Sequence, residues 1–282
     1  TVVTSLVAGA AAGALAKTAI APLDRCKINF QISKMPYSWR GAVQFLCTSA
    51  RTEGVAALWR GNSATMARIV PYAAIQFTAH EQCKKALGVD TPQKARSHML
   101  AGSMAGVISQ SATYPLDLAR ARMAVTSARQ LRTLSAVFRH VASQQGLLAL
   151  YRGYPATVMG VIPYAGVSFF TYDTLKHLYS DMMGGAPSPM GNMAMGGAAG
   201  AVAQTASYPL DIVRRRMQTA QKGEYTTIRS TLVLIYSTEG WRGFYKGLSM
   251  NWVKGPVAVG ISFATYDTIR TLLRDLALTL DR

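Results

Sequence analysis

Pro22-Leu23-Asp24, Pro115-Leu116-Asp117 and Pro209-Leu210-Asp211 recur at offsets of 93 and 94 residues (22 to 115, 115 to 209) in a chain of 282. Recurrence at a fixed period marks a repeat architecture, so the chain is read as three copies of one unit. Each proline is preceded by a pair of glycines four residues apart: Gly9 and Gly13, Gly102 and Gly106, Gly196 and Gly200. Small residues at that spacing share one face of a helix and predict close helix contact in a bilayer.

Two further elements keep step with the prolines. Glu53-Gly54 is followed by Trp59-Arg60-Gly61, Gln145-Gly146 by Tyr151-Arg152-Gly153, and Glu239-Gly240 by Tyr245-Lys246-Gly247. An acid and a base then stand at i and i+3 in Glu81 and Lys84, Asp173 and Lys176, and Asp267 and Arg270. Each copy reads as a long helix bearing its proline, a short amphipathic helix, and a second long helix. The long segments fall near 4–32, 62–86, 97–126, 155–180, 190–219 and 248–275. At ~1.5 Å per residue, helices of that length cross a hydrocarbon core ~30 Å thick with some tilt. The expectation is an all-α membrane protein with six spans and three short amphipathic helices. Its repeats run 1–90, 91–185 and 186–282 within one integral domain.

Composition agrees. Half of the residues are hydrophobic and only 15% are charged, against roughly 25% charged in soluble domains. Lys17, Asp24, Arg68, Gln110, Asp117, Gln204 and Asp211 interrupt the apolar runs, so these helices need a polar face. The formal charge of +17 implies anionic partners. The joining segments near 33–60, 127–153 and 220–247 are rich in cations, which predicts a basic, amphipathic surface on one side of the membrane.

Other classes fit worse. A basic, soluble helical repeat binding nucleic acid would need polar outer faces, whereas the odd-numbered long helices are rich in Ala, Gly, Val and Leu. An enzyme is not expected: His80, His98, His140 and His177 are scattered, and no phosphate-cradling G-x-x-x-x-G-K motif occurs. Cys26, Cys47 and Cys83 lack metal-ligand spacing and read as packing residues, and no metal is expected. The first residues carry neither a basic leader nor a transit pattern.

The triplicated combination of proline, acid and base, then acid, glycine, aromatic, base and glycine resembles the signature of the mitochondrial carrier family (solute carrier 25 type) over nearly the whole chain. That resemblance implies a pseudo-three-fold bundle around a central cavity in the inner mitochondrial membrane, opened alternately to either side. It implies a matrix gate pairing Asp24 with Arg120, Asp117 with Arg214, and Asp211 with Lys27. A cytoplasmic gate would pair Glu81 with Lys176, Asp173 with Arg270, and Asp267 with Lys84. Gln31 and Gln218 match the family's glutamine braces, whereas Ala124 stands at the third position. Asn29 replaces the second base found as Arg122 and Arg216, and Gln145 replaces an acid. Charges at membrane depth are costly unless paired or wet, which independently favours reading the triplicated charges as interhelical rings.

Residues that break the three-fold pattern carry the cargo. Thirteen residues before Glu81, Asp173 and Asp267 stand Arg68, Gly160 and Lys254, which match the family's substrate contact points. Two cations suit phosphate. Gly160-Val161 resembles the pair that marks adenine nucleotide-type cargo in this family, and Tyr164 one turn on could stack on the ring. Lys17 adds a cation where the other copies have Gln110 and Gln204. The stretches 61–76, 114–126, 160–171, 207–220 and 245–263 resemble the coenzyme A and adenine nucleotide branch of the family. The resemblance implies exchange of coenzyme A and adenosine 3′,5′-diphosphate for ADP or related nucleotides, with ATP/ADP or ATP-Mg/phosphate exchange as the alternative. Coenzyme A is then cargo, and no cofactor is expected. A monomer touching membrane lipid is implied, with cardiolipin at the short matrix helices and no nucleic acid.

Overall fold

The computed structural model describes residues 2–33, 36–88, 95–126, 133–185, 187–221 and 223–280. The side chains of 2–7, 95, 96, 98, 99, 263, 267, 270 and 273–280 fall outside that description. Among the described residues the secondary structure is helical throughout. The long helices are α1 (Val2–Ile32), α3 (Asn62–Ala86), α4 (Ala95–Val125), α6 (Tyr154–Met183), α7 (Pro189–Thr219) and α9 (Leu248–Leu280). The short ones are α2 (Trp39–Glu53), α5 (Leu134–Gln145) and α8 (Ile228–Gly243), with 3-10 turns at Val55–Trp59 and Leu147–Tyr151. All six long segments expected from the sequence are present, and each carries an interior proline. Among the described residues no helix is long and apolar enough to cross a membrane. The polar residues that interrupt each apolar run are the reason.

The chain divides into two compact units: Thr1–Asn29, Ser38–Tyr151 and Val253–Arg282 form the first, and Phe30–Tyr37 with Arg152–Trp252 forms the second. In the first, α3 packs along α4. The buried line on α4 runs through Ala101, Ala105, Ser109 and Thr113, a four-residue spacing that keeps them on one face. Both hydroxyls are satisfied within the helix, Ser109 donating to the Ala105 carbonyl at 2.7 Å and Thr113 to that of Ser109 at 2.8 Å. Gly102 and Gly106 were expected to make the close contact, yet a Cβ at Gly106 would meet nothing within 4 Å, and one at Gly102 only His80 at 4.0 Å. The small-residue seam lies one position back from the glycines.

Short-helix starts are fixed by hydroxyl caps: Ser38 accepts from the Gly41 amide at 3.0 Å, Thr133 from Ala136 at 3.3 Å, and Thr227 from Ser230 at 3.1 Å. In each copy the base of the aromatic-base-glycine triplet closes the carbonyl end of another long helix, where backbone acceptors have no partner of their own. Arg60 donates to the Met123 carbonyl at 3.2 Å, Arg152 to those of Gln221 at 3.0 Å and Glu224 at 2.5 Å, and Lys246 to that of Ser33 at 2.9 Å. The same triplet thus reaches, in each copy, the backbone at or just past the end of a proline-bearing helix. Gly61, at φ 89°, turns the chain into α3 so tightly that a Cβ there would lie 2.9 Å from the Arg120 carbonyl oxygen.

The aromatic member differs by copy. Tyr151 stacks on Tyr114 with centroids 5.9 Å apart, and Tyr245 on Tyr208 at 6.4 Å. The first copy has Ala21 before its proline, leaving no ring to stack on, and Trp59 instead donates to the Thr18 carbonyl at 2.8 Å.

Asn29, which lacks the charge of Arg122 and Arg216, is compensated from one turn back. Arg25 reaches Glu53 at 2.9 Å, the Ala57 carbonyl at 2.7 Å and the Ala124 carbonyl at 3.2 Å, while Asn29 donates to that last carbonyl at 3.0 Å. In the second copy Arg122 reaches the neutral Gln145 at 2.9 Å. The third copy has the strongest version: Arg216, 2% exposed, pairs with Glu239 at 2.7 Å, and Lys246 joins the same carboxylate at 2.5 Å. Burial pushes the Glu239 carboxyl up, but the hydrogen bonds from Arg216 and Lys246 outweigh it and hold the group below the usual carboxylate range. In the second unit Tyr208, Ile212, Val213, Met217, Ile235 and Phe244 belong to one buried apolar cluster. Of the three cysteines, Cys26 and Cys83 are buried as expected of packing residues, but Cys47 is exposed.

Candidate solute site

Lys17 and Asp24 lie seven residues apart on α1, two turns that bring them to one face. Asp24 is 7% exposed and is met from two other helices: Arg120 of α4 pairs with Oδ2, and Lys254 of α9 donates to Oδ1 at 2.7 Å. Arg120 is the partner that the resemblance implied for Asp24. The bond from Lys254, a residue read as a cargo contact, was not anticipated. Lys17 lines the same pocket as Asp24 and Arg120, together with Asn62 and Thr65 at the start of α3.

Arg68 of α3 shows the same duality. Its guanidinium donates to Gln110 Oε1 at 2.6 Å, to Thr113 Oγ1 at 3.2 Å and to Asp117 Oδ1 at 3.4 Å. Residues 110, 113 and 117 stand at i, i+3 and i+7 on α4, so one helix face presents three acceptors to one fork of donors. The aromatic ring of Tyr72, one turn along α3, lies 4.8 Å from the guanidinium carbon. Asp117 is 2% exposed. Arg214, the partner expected for it, belongs to the other unit, as does Asp211 relative to Lys27.

Around Asp24 and Asp117 the described cations of the first unit outnumber the carboxylates: Arg120 and Lys254 meet Asp24, Arg68 meets Asp117, and Lys17 lines the pocket beside Asp24. Such a cluster favours an anionic ligand, because phosphate oxygens take the charge-assisted bonds that the surplus donors offer. The sequence reading picked out all four cations but missed the acceptor set on α4. Gln110, Thr113 and Asp117 do carry a sequence signal, their shared helix face, but only the packing of α3 on α4 decides that Arg68 is what they meet.

In the second unit Gly160, Val161 and Tyr164 lie on α6. Val161 is 36% and Tyr164 41% exposed. A Cβ at Gly160 would stand 3.7 Å from Leu210 Cβ, an ordinary contact, so packing against α7 does not force a glycine there. Gln31 and Gln218 are fully buried, Gln31 donating to the Tyr208 hydroxyl at 3.3 Å and Gln218 accepting from Arg215 at 2.9 Å. At the opposite end of the long helices, Glu81 accepts from Lys84 of its own helix at 3.4 Å, and His177 lies 3.6 Å from Asp173. Lys176 follows on the same turn of α6, and the side chains of Asp267 and Arg270 lie outside the described residues.

Three consecutive stretches, residues 1–90, 91–183 and 185–276, match the family model described as Mitochondrial carrier protein. The chain is 53% identical over 284 residues to the mitochondrial coenzyme A transporter SLC25A42 of Homo sapiens, covering 98% of this chain and 89% of that one. It is 51% identical over 286 residues to the protein of the same name from Danio rerio, with the same coverage of 98% and 89%. Similarity extends to Solute carrier family 25 member 16 of Mus musculus, 38% identical over 288 residues, covering 94% of this chain and 87% of that one.

Proposed function

The chain belongs to the mitochondrial carrier protein family, and from that premise we propose that it exchanges coenzyme A and adenosine 3′,5′-diphosphate for ADP or related adenine nucleotides. Family membership makes it a transporter of a mitochondrial membrane rather than an enzyme, built on the all-α carrier fold. The inner membrane, a monomeric state and cardiolipin at α2, α5 and α8 belong to the proposal.

The observation that carries it is the excess of cations around Asp24 and Asp117, with Lys254 and Arg68 each bonded to one of those carboxylates. A cargo rich in phosphate competes with Asp24 for Lys254 and with Asp117 for Arg68. Cargo contacts and gate contacts are then alternatives for the same donors, and a ligand shifts a two-state equilibrium only through such differential contacts. Each charge-assisted bond is worth about 1.5–3 kcal/mol net. Drawing two donors away from the gate carboxylates is therefore enough to bias opening without locking either state. The diphosphate and 3′-phosphate of coenzyme A supply the anionic groups, and the named activity of the SLC25A42 relatives supports that cargo.

In this reading Lys17, Arg68 and Lys254 receive the phosphates, and Gly160, Val161 and Tyr164 receive the adenine. Asp24, Lys27, Asp117, Arg120, Asp211 and Arg214 form the matrix gate, braced by Gln31 and Gln218. Glu81, Lys84, Asp173, Lys176, Asp267 and Arg270 form the cytoplasmic gate. The test is reconstitution into liposomes preloaded with ADP, followed by uptake of labelled coenzyme A, ADP, ATP and phosphate. Uptake of coenzyme A with counterflow of ADP is the expected result. Uptake of ATP or phosphate without coenzyme A would overturn it in favour of ATP/ADP or ATP-Mg/phosphate exchange.

A further inference from the structure

Gln110 stands five residues before Pro115, at the position held by Lys17 in the first copy and Gln204 in the third. Its carboxamide orientation is fixed by its neighbour: a guanidinium can only donate, so the oxygen must face Arg68 Nη2, at 2.6 Å. The amide nitrogen is left buried, with no acceptor among the described residues. Buried donors are ordinarily paired, and an exception calls for an explanation.

The third copy supplies the contrast. There Gln204 Nε2 lies 3.5 Å from Asp211 Oδ2, the carboxylate two turns along its own helix. In the second copy the equivalent carboxylate, Asp117, accepts from Arg68 instead. Arg68 takes up both the amide oxygen and the carboxylate that the amide nitrogen would otherwise approach. One side chain inserted from α3 thus converts a satisfied glutamine into one with a spare donor beside a cation.

Resting on the cargo role of Arg68 proposed above, we infer that Gln110 is a further cargo-contact residue that donates its amide N–H to an anionic oxygen of the same phosphate group that Arg68 binds. A neutral donor next to a guanidinium completes a fork for a phosphate: one oxygen meets charge and its neighbour a directed N–H. Lys17 and Gln110 then differ in kind at equivalent positions, the lysine adding charge and the glutamine adding direction.

The experiment compares the wild type with Gln110→Met, which keeps the side-chain length and removes both polar atoms, alone and in an Arg68→Lys background. ADP and coenzyme A serve as probes in proteoliposome uptake and in ligand-dependent thermal shift of the purified full chain. The expected result is about a tenfold rise in KM for both probes with the maximal rate kept, no loss of melting temperature in the ligand-free protein, and a further rise when Gln110→Met is added to Arg68→Lys. An unchanged KM in Gln110→Met overturns the inference. So does an effect that vanishes in the Arg68→Lys background, since Gln110 would then act only by positioning Arg68. If Arg68→Lys and Arg68→Ala themselves transport normally, the cargo role of Arg68 fails instead, a result distinguishable from failure at Gln110.

Discussion

Lys254 Nζ lies 2.7 Å from Oδ1 of Asp24, so the lysine proposed to meet cargo is held by a carboxylate proposed for the gate. The donor cannot fully serve both. Under the proposed function, binding and gating are coupled at this atom pair without any relay between distant sites.

Lys254→Gln and Arg68→Ala should each lower exchange by about 10- to 100-fold, the equivalent of one charge-assisted hydrogen bond of about 1.5–3 kcal/mol. The melting temperature of Lys254→Gln in detergent should stay within a few degrees of wild type, because Asp24 keeps Arg120, whereas Arg68→Ala takes a counter-charge from the buried Asp117 and should melt lower. Initial rates of ADP-driven uptake check this, and wild-type rates in both variants would remove these residues from the site.

Gly160 separates packing from function. Gly160→Ala should fold and melt as the wild type does, since its Cβ would meet Leu210 at an ordinary 3.7 Å. Gly160→Leu, filling the space assigned to the adenine, should raise KM for nucleotides at least tenfold. Equal KM values for glycine and leucine at 160 would show that no ring lies there.

Two glycines with nearly the same backbone angle should respond differently to alanine. Gly54 has φ 87° and open space, whereas Gly61 has φ 89° and the Arg120 carbonyl oxygen 2.9 Å from the added carbon. Gly54→Ala should cost about 1 kcal/mol through backbone strain alone, and Gly61→Ala up to about 3 kcal/mol as α3 is pushed from α4. Thermal melts of the two variants side by side give the comparison.

The Glu239 carboxyl titrates below its unfolded value, so the stability it contributes is fully present above the unfolded pKa of ~4.3 and is lost as pH falls through the lower, folded pKa. Wild type should therefore lose more stability than Glu239→Gln on acidification from pH 6 toward the low end of the carboxylate range. Above that window the variant should be less stable by about 3–5 kcal/mol, since Arg216 would keep its burial without its counter-charge. Parallel slopes of melting temperature against pH would show that the Glu239 pair contributes nothing.

Arg25→Ala should destabilise the protein more than Asn29→Ala. Arg25 holds Glu53 and two backbone carbonyls, whereas Asn29 holds carbonyls only. Installing the base of the other copies, as Asn29→Arg in the Arg25→Ala background, should restore part of the loss. Chemical or thermal unfolding of the three variants is the measurement, and equal losses for Arg25→Ala and Asn29→Ala would dismiss the compensation.

The repeats, the six long helices and their boundaries to within a few residues were legible because they rest on local chemistry. A proline, a hydroxyl cap or a glycine at positive φ acts on its own stretch of backbone, and a threefold repetition multiplies the signal. Lys17, Arg68 and Lys254 were legible as breaks in that repetition. Arg25 was not, because its role depends on Asn29 having lost a charge and on one helical turn of reach, a relation visible only once Glu53 is placed beside it. The buried seam of α4 was misread for a similar reason: Gly102 and Gly106 have the right spacing, but Ala101, Ala105, Ser109 and Thr113 are the residues turned toward the interior.

The sequence by itself determined which residues are charged, where they recur and on which helix faces they stand, since 3.6 residues per turn and three copies leave little freedom. Tertiary structure alone decided the pairings: that Lys254 joins Arg120 on Asp24, that Arg68 takes Asp117 and Gln110, and that Trp59 turns to the Thr18 carbonyl where its counterparts stack on tyrosine. An ion pair depends on two side chains from separate helices meeting within about 4 Å. Helix periodicity fixes the direction of each but not the distance between them.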